Sequence, residues 1–185
     1  MRKQKGFSLI ELLIVVAIIL IIAAIAIPNL IRAKISANQA SAVASVRTIT
    51  TSQIQYQSNY PAVGYAATSF TLGVGAGNAA CPAAGAAAAT ACLIDGVLTN
   101  AATPATPKSG YQIQTVGQAN AGGINVGFLT QAGPSVFNRT GVNTYCSQED
   151  GVVLQDATNA ASGFGASKYN AAADCGPGNF LPLNQ

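Results

Sequence analysis

The feature that most constrains this chain is a long apolar segment near its N-terminus. Residues 7–27 are apolar at 19 of 21 positions, and the two exceptions are Ser8 and Glu11. Only 8% of the chain is charged, well below the roughly 25% typical of soluble domains. A helix of this length spans about 31 Å, which matches the hydrocarbon core of a bilayer. The segment is therefore long enough to cross a membrane as one helix.

Basic residues lie on both sides of the apolar segment. Arg2, Lys3 and Lys5 precede it, and Arg32 and Lys34 follow it, so they favour a cytoplasmic N-terminus only weakly. Once the first six residues are subtracted, the chain contains six basic and six acidic residues. This neutral remainder has no basic stripe that could neutralise phosphates, so the sequence predicts no nucleic-acid partner.

An ordinary secretory signal peptide is one interpretation of the apolar segment. The sequence Ala24-Ile25-Ala26 offers a cleavage site, and cleavage after Ala26 would release a secreted binding domain. The length of the segment argues against this, because the apolar part of a signal peptide usually has about 7 to 15 residues. Glu11 also argues against it, because an acid near mid-membrane costs about 2.5 to 3.5 kcal/mol. This cost indicates that Glu11 has a specific role in the protein.

The residues around Glu11 resemble a known export signal. The run Gly6-Phe7-Ser8-Leu9-Ile10-Glu11-Leu12-Leu13, with Ala26-Ile27-Pro28 further on, is similar to the class III signal of type IV prepilins and pseudopilins. The resemblance implies that a prepilin peptidase cleaves after Gly6 and methylates Phe7. Residues 1–6 would then be a cytoplasmic leader. The apolar segment would stay on the mature protein, first in membrane lipid and later in a filament.

Glu11 lies four residues after Phe7, which is one helical turn. Its carboxylate could pair with the amine of its own mature N-terminus or with that of a neighbouring subunit, or it could be protonated in the membrane. The resemblance implies the pair between subunits. Such a pair would remove the cost of an unpaired carboxylate in hydrocarbon and would fix the axial register of the subunits.

Beyond Pro28 the apolar residues recur with helical spacing, within an arc of about 120°. The pattern predicts one helix over residues 7–58, in which 7–28 is the transmembrane and assembly half and 29–58 is the amphipathic half. Pro28 predicts a kink or local melting near residues 24–28. The apolar stripe consists of Ile31, Ile35, Ala42, Val43, Val46 and Ile49.

Residues 59–185 are predicted to form a globular head. Residues 60–109 are rich in small and polar residues with poor periodicity, so we expect loops there. A sheet is predicted at about 110–155, because alternating residues at 111–116 and 124–129 flank a glycine turn, and a third short strand is expected at 152–154. The predicted fold class is α+β, a pilin fold with one long kinked helix packed on a small antiparallel sheet.

Four cysteines, Cys81, Cys92, Cys146 and Cys175, form no C-x-x-C pair. Their even number behind an export-like N-terminus favours disulfides over metal binding. Four cysteines permit three connectivities, and we favour Cys81 with Cys92 and Cys146 with Cys175 because these pairs are nearest in sequence. The region 146–175 resembles the disulfide-bounded C-terminal region of many type IV pilins.

Histidine is absent from the chain, which removes the commonest general base and zinc ligand. The sequence therefore predicts no enzyme, no cofactor and no metal site. The resemblance implies a structural subunit of a type IV pilus, used in adhesion, motility or DNA uptake. The alternative within the same superfamily is the major pseudopilin of a type II secretion system.

The resemblance also implies the partners and the location of the chain. The partners would be further copies of the chain in a homopolymeric filament, the prepilin peptidase, the inner-membrane assembly machinery and membrane lipid before assembly. The subunit would cross the inner membrane once with its N-terminus in the cytoplasm. After assembly it would lie in a pilus on the cell surface.

Overall fold

A computed structural model describes residues 7–75, 77, 80–82, 85–103, 105–156, 175 and 181–183. Within them the chain forms two compact units, the first up to Lys34 and the second, which we call the head, from Ile35 onwards. The elements in chain order are α1 (Leu9–Asn59), α2 (Ser69–Leu72), α3 (Gly96–Asn100), β1 (Tyr111–Ala119), β2 (Asn125–Pro134), β3 (Thr144–Ser147), β4 (Val153–Asp156) and β5 (Leu181–Pro182).

The long helix α1 has 51 residues and confirms the predicted helix over 7–58. Its first half is rich in Leu, Ile and Ala, and Leu and Ala rank among the strongest helix formers. Helical conformation continues through residues 24–28, so this stretch is not melted in the subunit. The kink at Pro28 stays a prediction.

The sheet is an antiparallel meander in the order β1-β2-β3-β4-β5, which with α1 confirms the predicted α+β class. The β1–β2 hairpin is longer than its predicted strands, and in its register Ile113 faces Ala132. The predicted third strand is β4, which begins one residue later and ends two residues later than expected. It pairs with β3, which the sequence pattern did not predict.

Asn120 and Gly123 form the turn of the β1–β2 hairpin. The side-chain oxygen of Asn120 accepts hydrogen bonds from the backbone N–H groups of Gly122 (2.9 Å) and Ile124 (3.1 Å). Gly123 has φ +79°, a left-handed conformation that glycine adopts at low cost. The turn thus holds the two longest strands in register.

Two short helices interrupt the predicted loop region 60–109. The Thr68 hydroxyl accepts a hydrogen bond from the backbone N–H of Thr71 and caps α2, whereas the Asp95 carboxylate accepts from Leu98 N–H at 2.6 Å and caps α3. Helices of four and five residues are held by such caps and by packing. Composition alone therefore did not predict them.

The main core of the head lies between α1 and one face of the sheet. The helix contributes positions spaced three or four apart, and the sheet contributes alternate residues of its strands. Two predicted stripe residues depart from this pattern, because Ile31 is 48% exposed and Ile35 is only half-buried. Members of the core include Ala42, Val46, Ile49, Tyr56, Leu72, Tyr111, Ile113, Ala132 and Tyr145.

A buried glutamine joins α1 to the sheet within this core. Gln53 is fully buried, and its amide nitrogen donates to the Thr115 hydroxyl (2.9 Å) and to the Ala66 carbonyl (3.1 Å). Its amide oxygen accepts from the Ala66 N–H at 2.8 Å. A buried polar group is tolerated when its partners are all present, and here they fix the position of the helix on the sheet.

The structure pairs Cys81 with Cys92 and Cys146 with Cys175, as the sequence favoured. Their Cα atoms are 5.7 and 5.9 Å apart, within the range that disulfides adopt. The second bond lies on the sheet face that points away from α1, where both of its cysteines pack with Leu129. It therefore ties the C-terminal region to the sheet.

Candidate functional site

The candidate functional site is the apolar segment of α1, residues 7–27. Its large apolar side chains are all exposed, from 44% at Val16 to 79% at Phe7. Burying one such side chain stabilises by roughly 1.5 to 3 kcal/mol, so leaving fifteen of them in water would be very unfavourable. The segment therefore requires apolar surroundings that the described part of the chain does not supply.

The apolar surface runs all the way around this half of the helix. Residues 12–16 are five consecutive apolar residues, and five residues at 100° each cover every side of a helix. A helix that is apolar on every side is typical of a membrane span or of the centre of a large assembly. By length and composition, α1 is the one helix among the described residues that could cross a membrane.

Glu11 caps the N-terminus of this helix. Its carboxylate accepts a hydrogen bond of 3.0 Å from the backbone N–H of Ser8, and the Ser8 carbonyl accepts from the Leu12 N–H at 3.3 Å. The first N–H groups of a helix have no partner within it, and a negative charge there is favoured by the helix dipole. Glu11 is therefore satisfied in part by its own chain before any neighbour arrives.

The spacing of Ser8 and Glu11 could have revealed this contact. Ser-x-x-Glu before an apolar run is the capping-box pattern, in which the glutamate reaches back to the N–H of the capping residue. An amine and a proton are the only partners of Glu11 predicted from the sequence. The structure adds a third, the backbone N–H of Ser8.

The other predicted site residues lie in different parts of the molecule. Phe7 is at the exposed start of the segment and Pro28 is inside α1. Gly6, at the predicted cleavage site, lies outside the described residues. The four cysteines belong to the head. Among the residues that the structure describes, no group of three or more His, Cys, Asp or Glu side chains could hold a metal ion.

The features of the first unit define a known class of N-terminal segment. Residues 1–27 match the family model described as the prokaryotic N-terminal methylation motif. This match confirms the resemblance on which the prediction of a prepilin-type signal rested. No solved structure matches the chain.

Two type IV pilus proteins are similar to part of the chain. Over 57 residues it is 51% identical to the type IV wide pilus major component PilA4 of Thermus thermophilus, which covers 31% of this chain and 44% of the relative. Over 51 residues it is 49% identical to the type IV major pilin protein PilA of Myxococcus xanthus, which covers 28% of this chain and 23% of the relative. The chain thus spans less than half the length of each of these relatives.

Proposed function

We propose that this chain is a structural subunit of a type IV pilus, which polymerises through the apolar segment of α1. The observation that carries the proposal is the uncovered apolar surface on every side of that segment. Lipid can cover such a surface before assembly, and copies of the same segment can cover it in a filament. The methylation motif and the two pilin relatives support this choice over a pseudopilin, because both relatives are named as pilus components.

The proposal includes the processing and the location of the subunit. A prepilin peptidase cleaves between Gly6 and Phe7 and methylates the new N-terminus. The subunit then spans the inner membrane once with its N-terminus in the cytoplasm, and assembly machinery moves it into a pilus on the cell surface. Its role is structural, in adhesion, motility or DNA uptake, and it needs no cofactor.

Mass spectrometry of the mature protein tests the processing step. The expected N-terminal residue is a methylated Phe7, and the protein is expected in fibres sheared from the cell surface. A mature protein that begins at Ile27 would show that an ordinary signal peptide was removed, and the proposed function would then be wrong. A methylated protein that never appears in sheared fibres would point to the pseudopilin.

Substitutions at Glu11 separate its two roles, which are capping the helix and carrying a charge. Glu11→Gln keeps an oxygen that can accept from the Ser8 N–H but removes the charge that would pair with an amine. We expect Glu11→Gln to insert in the membrane normally and to lower the filament yield about tenfold or more, because it lacks the ion pair.

Glu11→Leu is the matched control, since it removes the cap and the charge together. If the ion pair dominates, the filament yields of the two variants will be equally low. Normal yield from Glu11→Gln with a low yield from Glu11→Leu would show that the cap, and not the charge, is what assembly requires, and normal yield from both would show that neither is required.

A further inference from the structure

Charged side chains of opposite sign lie at the two ends of the head. Among its described residues, Lys108 and Arg139 are at the end where the head's part of α1 begins, and Glu149 and Asp150 are at the opposite end; Lys108 is half-buried and the other three are exposed. We call these the entry end and the far end. Two further exposed charges, Arg47 on α1 and Asp95 at the cap of α3, belong to neither set. Asp156 also lies at the entry end but is only 1% exposed, so its side chain cannot contact a neighbouring molecule.

Contacts with the beginning of the head's helix locate the entry end. The Lys108 ammonium donates to the Ser45 hydroxyl at 2.7 Å. The carbonyl of Thr140, which follows Arg139, accepts from the Asn38 side chain at 2.9 Å. Both cations are thus beside the first three turns of α1 in the head.

Contacts of the β3–β4 turn locate the far end. The Glu149 carboxylate accepts from the backbone N–H of Phe128 at 3.2 Å, and Phe128 faces Gly117 across the hairpin. The backbone N–H of Gly117 donates to the Ala67 carbonyl at 3.0 Å. The residue before Ala67 is Ala66, whose backbone is hydrogen-bonded to Gln53 of α1. Glu149 and Asp150 are thus level with the last turns of α1.

The two ends are too far apart for their charges to pair within one subunit. Phe128 marks the far end and Pro134 marks the entry end, and six residues of strand between them span about 20 Å. At physiological ionic strength charges are screened over about 8 Å. Each set therefore remains available to a neighbouring molecule.

Identical subunits that all point the same way along a filament contact one another through two different patches, because the interface is heterologous. With the head's part of α1 aligned along the filament axis, the entry end of one head would face the far end of another head. On the basis of the proposed function, we infer that Lys108 and Arg139 of one copy contact Glu149 and Asp150 of the next copy, head to tail. The partner is a second copy of this chain, and the contact fixes the axial position of the heads independently of α1.

Charge reversal in the full-length protein tests this contact. Arg139→Glu and Asp150→Arg are each expected to lower the yield of sheared filaments about twofold to fivefold, the range given by one surface ion pair. The combined Arg139→Glu, Asp150→Arg variant is expected to recover most of the yield, because the two reversed charges attract again. Thr51→Glu is the control, since Thr51 is an exposed residue of α1 between the contacts that mark the two ends, and its yield should stay unchanged.

Two further measurements keep the test decisive. Asp150→Asn retains an oxygen for the 3.0 Å hydrogen bond from the Val152 N–H but removes the charge, so a loss of yield from this variant is electrostatic and not a folding defect. Recovery of yield by raised salt in the singly reversed variants would support the inference, because salt screens the repulsion.

The inference and the proposed function fail in different ways. Full yield from both single reversals, or no recovery in the combined variant, overturns the head-to-tail contact while wild-type filaments still form. If Arg139→Glu instead loses binding to vesicles of anionic phospholipid and the combined variant does not regain yield, the entry end faces a lipid surface, which also overturns the contact. Absence of wild-type filaments would refute the proposed function itself.

Discussion

The first half of α1 and the half from Ile35 onwards share one backbone conformation but differ in what covers them. In the first half the apolar side chains are exposed on every side. In the second half the helix buries polar residues, among them Thr50, Ser52 and Gln53, together with its apolar stripe. The same helix thus carries exposed apolar residues in its first half and buried polar residues in its second half.

This difference shows that the residues of each half of α1 suit a different environment. The second half is matched to a sheet with fixed hydrogen-bond positions, so it can hold a buried glutamine. The first half is matched to surroundings without such fixed partners, where any apolar side chain is accepted and a polar one is costly. The partner of the second half is in the same chain, whereas under the proposed function the partner of the first half is lipid or another copy.

Two almost equally exposed isoleucines of α1 test this difference between its halves, and we expect the largest effect here. Ile18 is 52% exposed in the first half and Ile54 is 46% exposed in the second half. We expect Ile18→Asp to weaken membrane insertion and to lower the filament yield about tenfold or more, because a second acid near mid-membrane costs about 2.5 to 3.5 kcal/mol. Membrane fractionation and the filament yield measure the effect.

Ile54→Asp is the matched control for this prediction. It changes a solvated position of the head, so its free energy of unfolding should stay within about 0.5 kcal/mol of the wild type. Loss of filaments from Ile54→Asp would show that the outer face of the second half also joins copies. Normal insertion together with a normal filament yield from Ile18→Asp would contradict this difference between the halves.

Sequence periodicity predicted the elements that are long enough to show a period. The spacing of apolar residues predicted α1, and alternation predicted the β1–β2 hairpin. The stripe was followed only to Ile49, although Gln53 and Tyr56 continue it at the same spacing. A polar residue on that face cannot be recognised as buried from its type, because its partners Ala66 and Thr115 come from elements distant in sequence.

The elements that were missed are short and depend on tertiary partners. The strand β3 has four residues and is defined by its pairing with β2 and β4. The helices α2 and α3 each have one capped turn. In the candidate site, Phe7 and Glu11 were predicted from a local motif. The backbone partner of Glu11 could have been predicted only from the capping-box spacing of Ser8 and Glu11.

Removing the buried amide of the head should have the next largest effect. Gln53→Leu has a similar size but leaves Ala66 and the Thr115 hydroxyl without the bonds that Gln53 makes. Each buried polar group that loses its partner costs about 1 to 3 kcal/mol, so we expect about 2 to 4 kcal/mol of lost stability. Urea unfolding of the full-length protein in detergent, followed by tyrosine fluorescence, measures it.

Gln55→Leu provides the comparison, since Gln55 is exposed two residues further along α1. Its urea midpoint should match that of the wild type. Membrane insertion should be normal in both variants, because neither residue belongs to the apolar segment. Equal urea midpoints for the two variants would show that the Gln53 bonds do not hold the helix on the sheet.

The smallest effect that we expect is an alkaline loss of stability in the head alone. Burial raises the pKa of Tyr111 above its ordinary value of 10.0, and the nearby Tyr145 raises it further. The Tyr111 hydroxyl donates to the Asn143 carbonyl at 2.9 Å, so it keeps its proton in the folded state. Burial also raises the pKa of Tyr145 and of Tyr56.

The sign of the pH dependence follows from these directions. The folded state binds more protons than the unfolded state above pH 10, so the stabilising contribution is complete below pH 10 and is lost as the pH rises through the folded pKa values. Urea midpoints at pH 8, 10 and 11 measure the loss, and every cysteine is already paired, so no thiolate starts disulfide exchange. Tyr111→Phe should make the fall between pH 10 and pH 11 shallower. If the wild type is as stable at pH 11 as at pH 8, the tyrosines do not resist ionisation, and the head's core is more open to water than its contacts indicate.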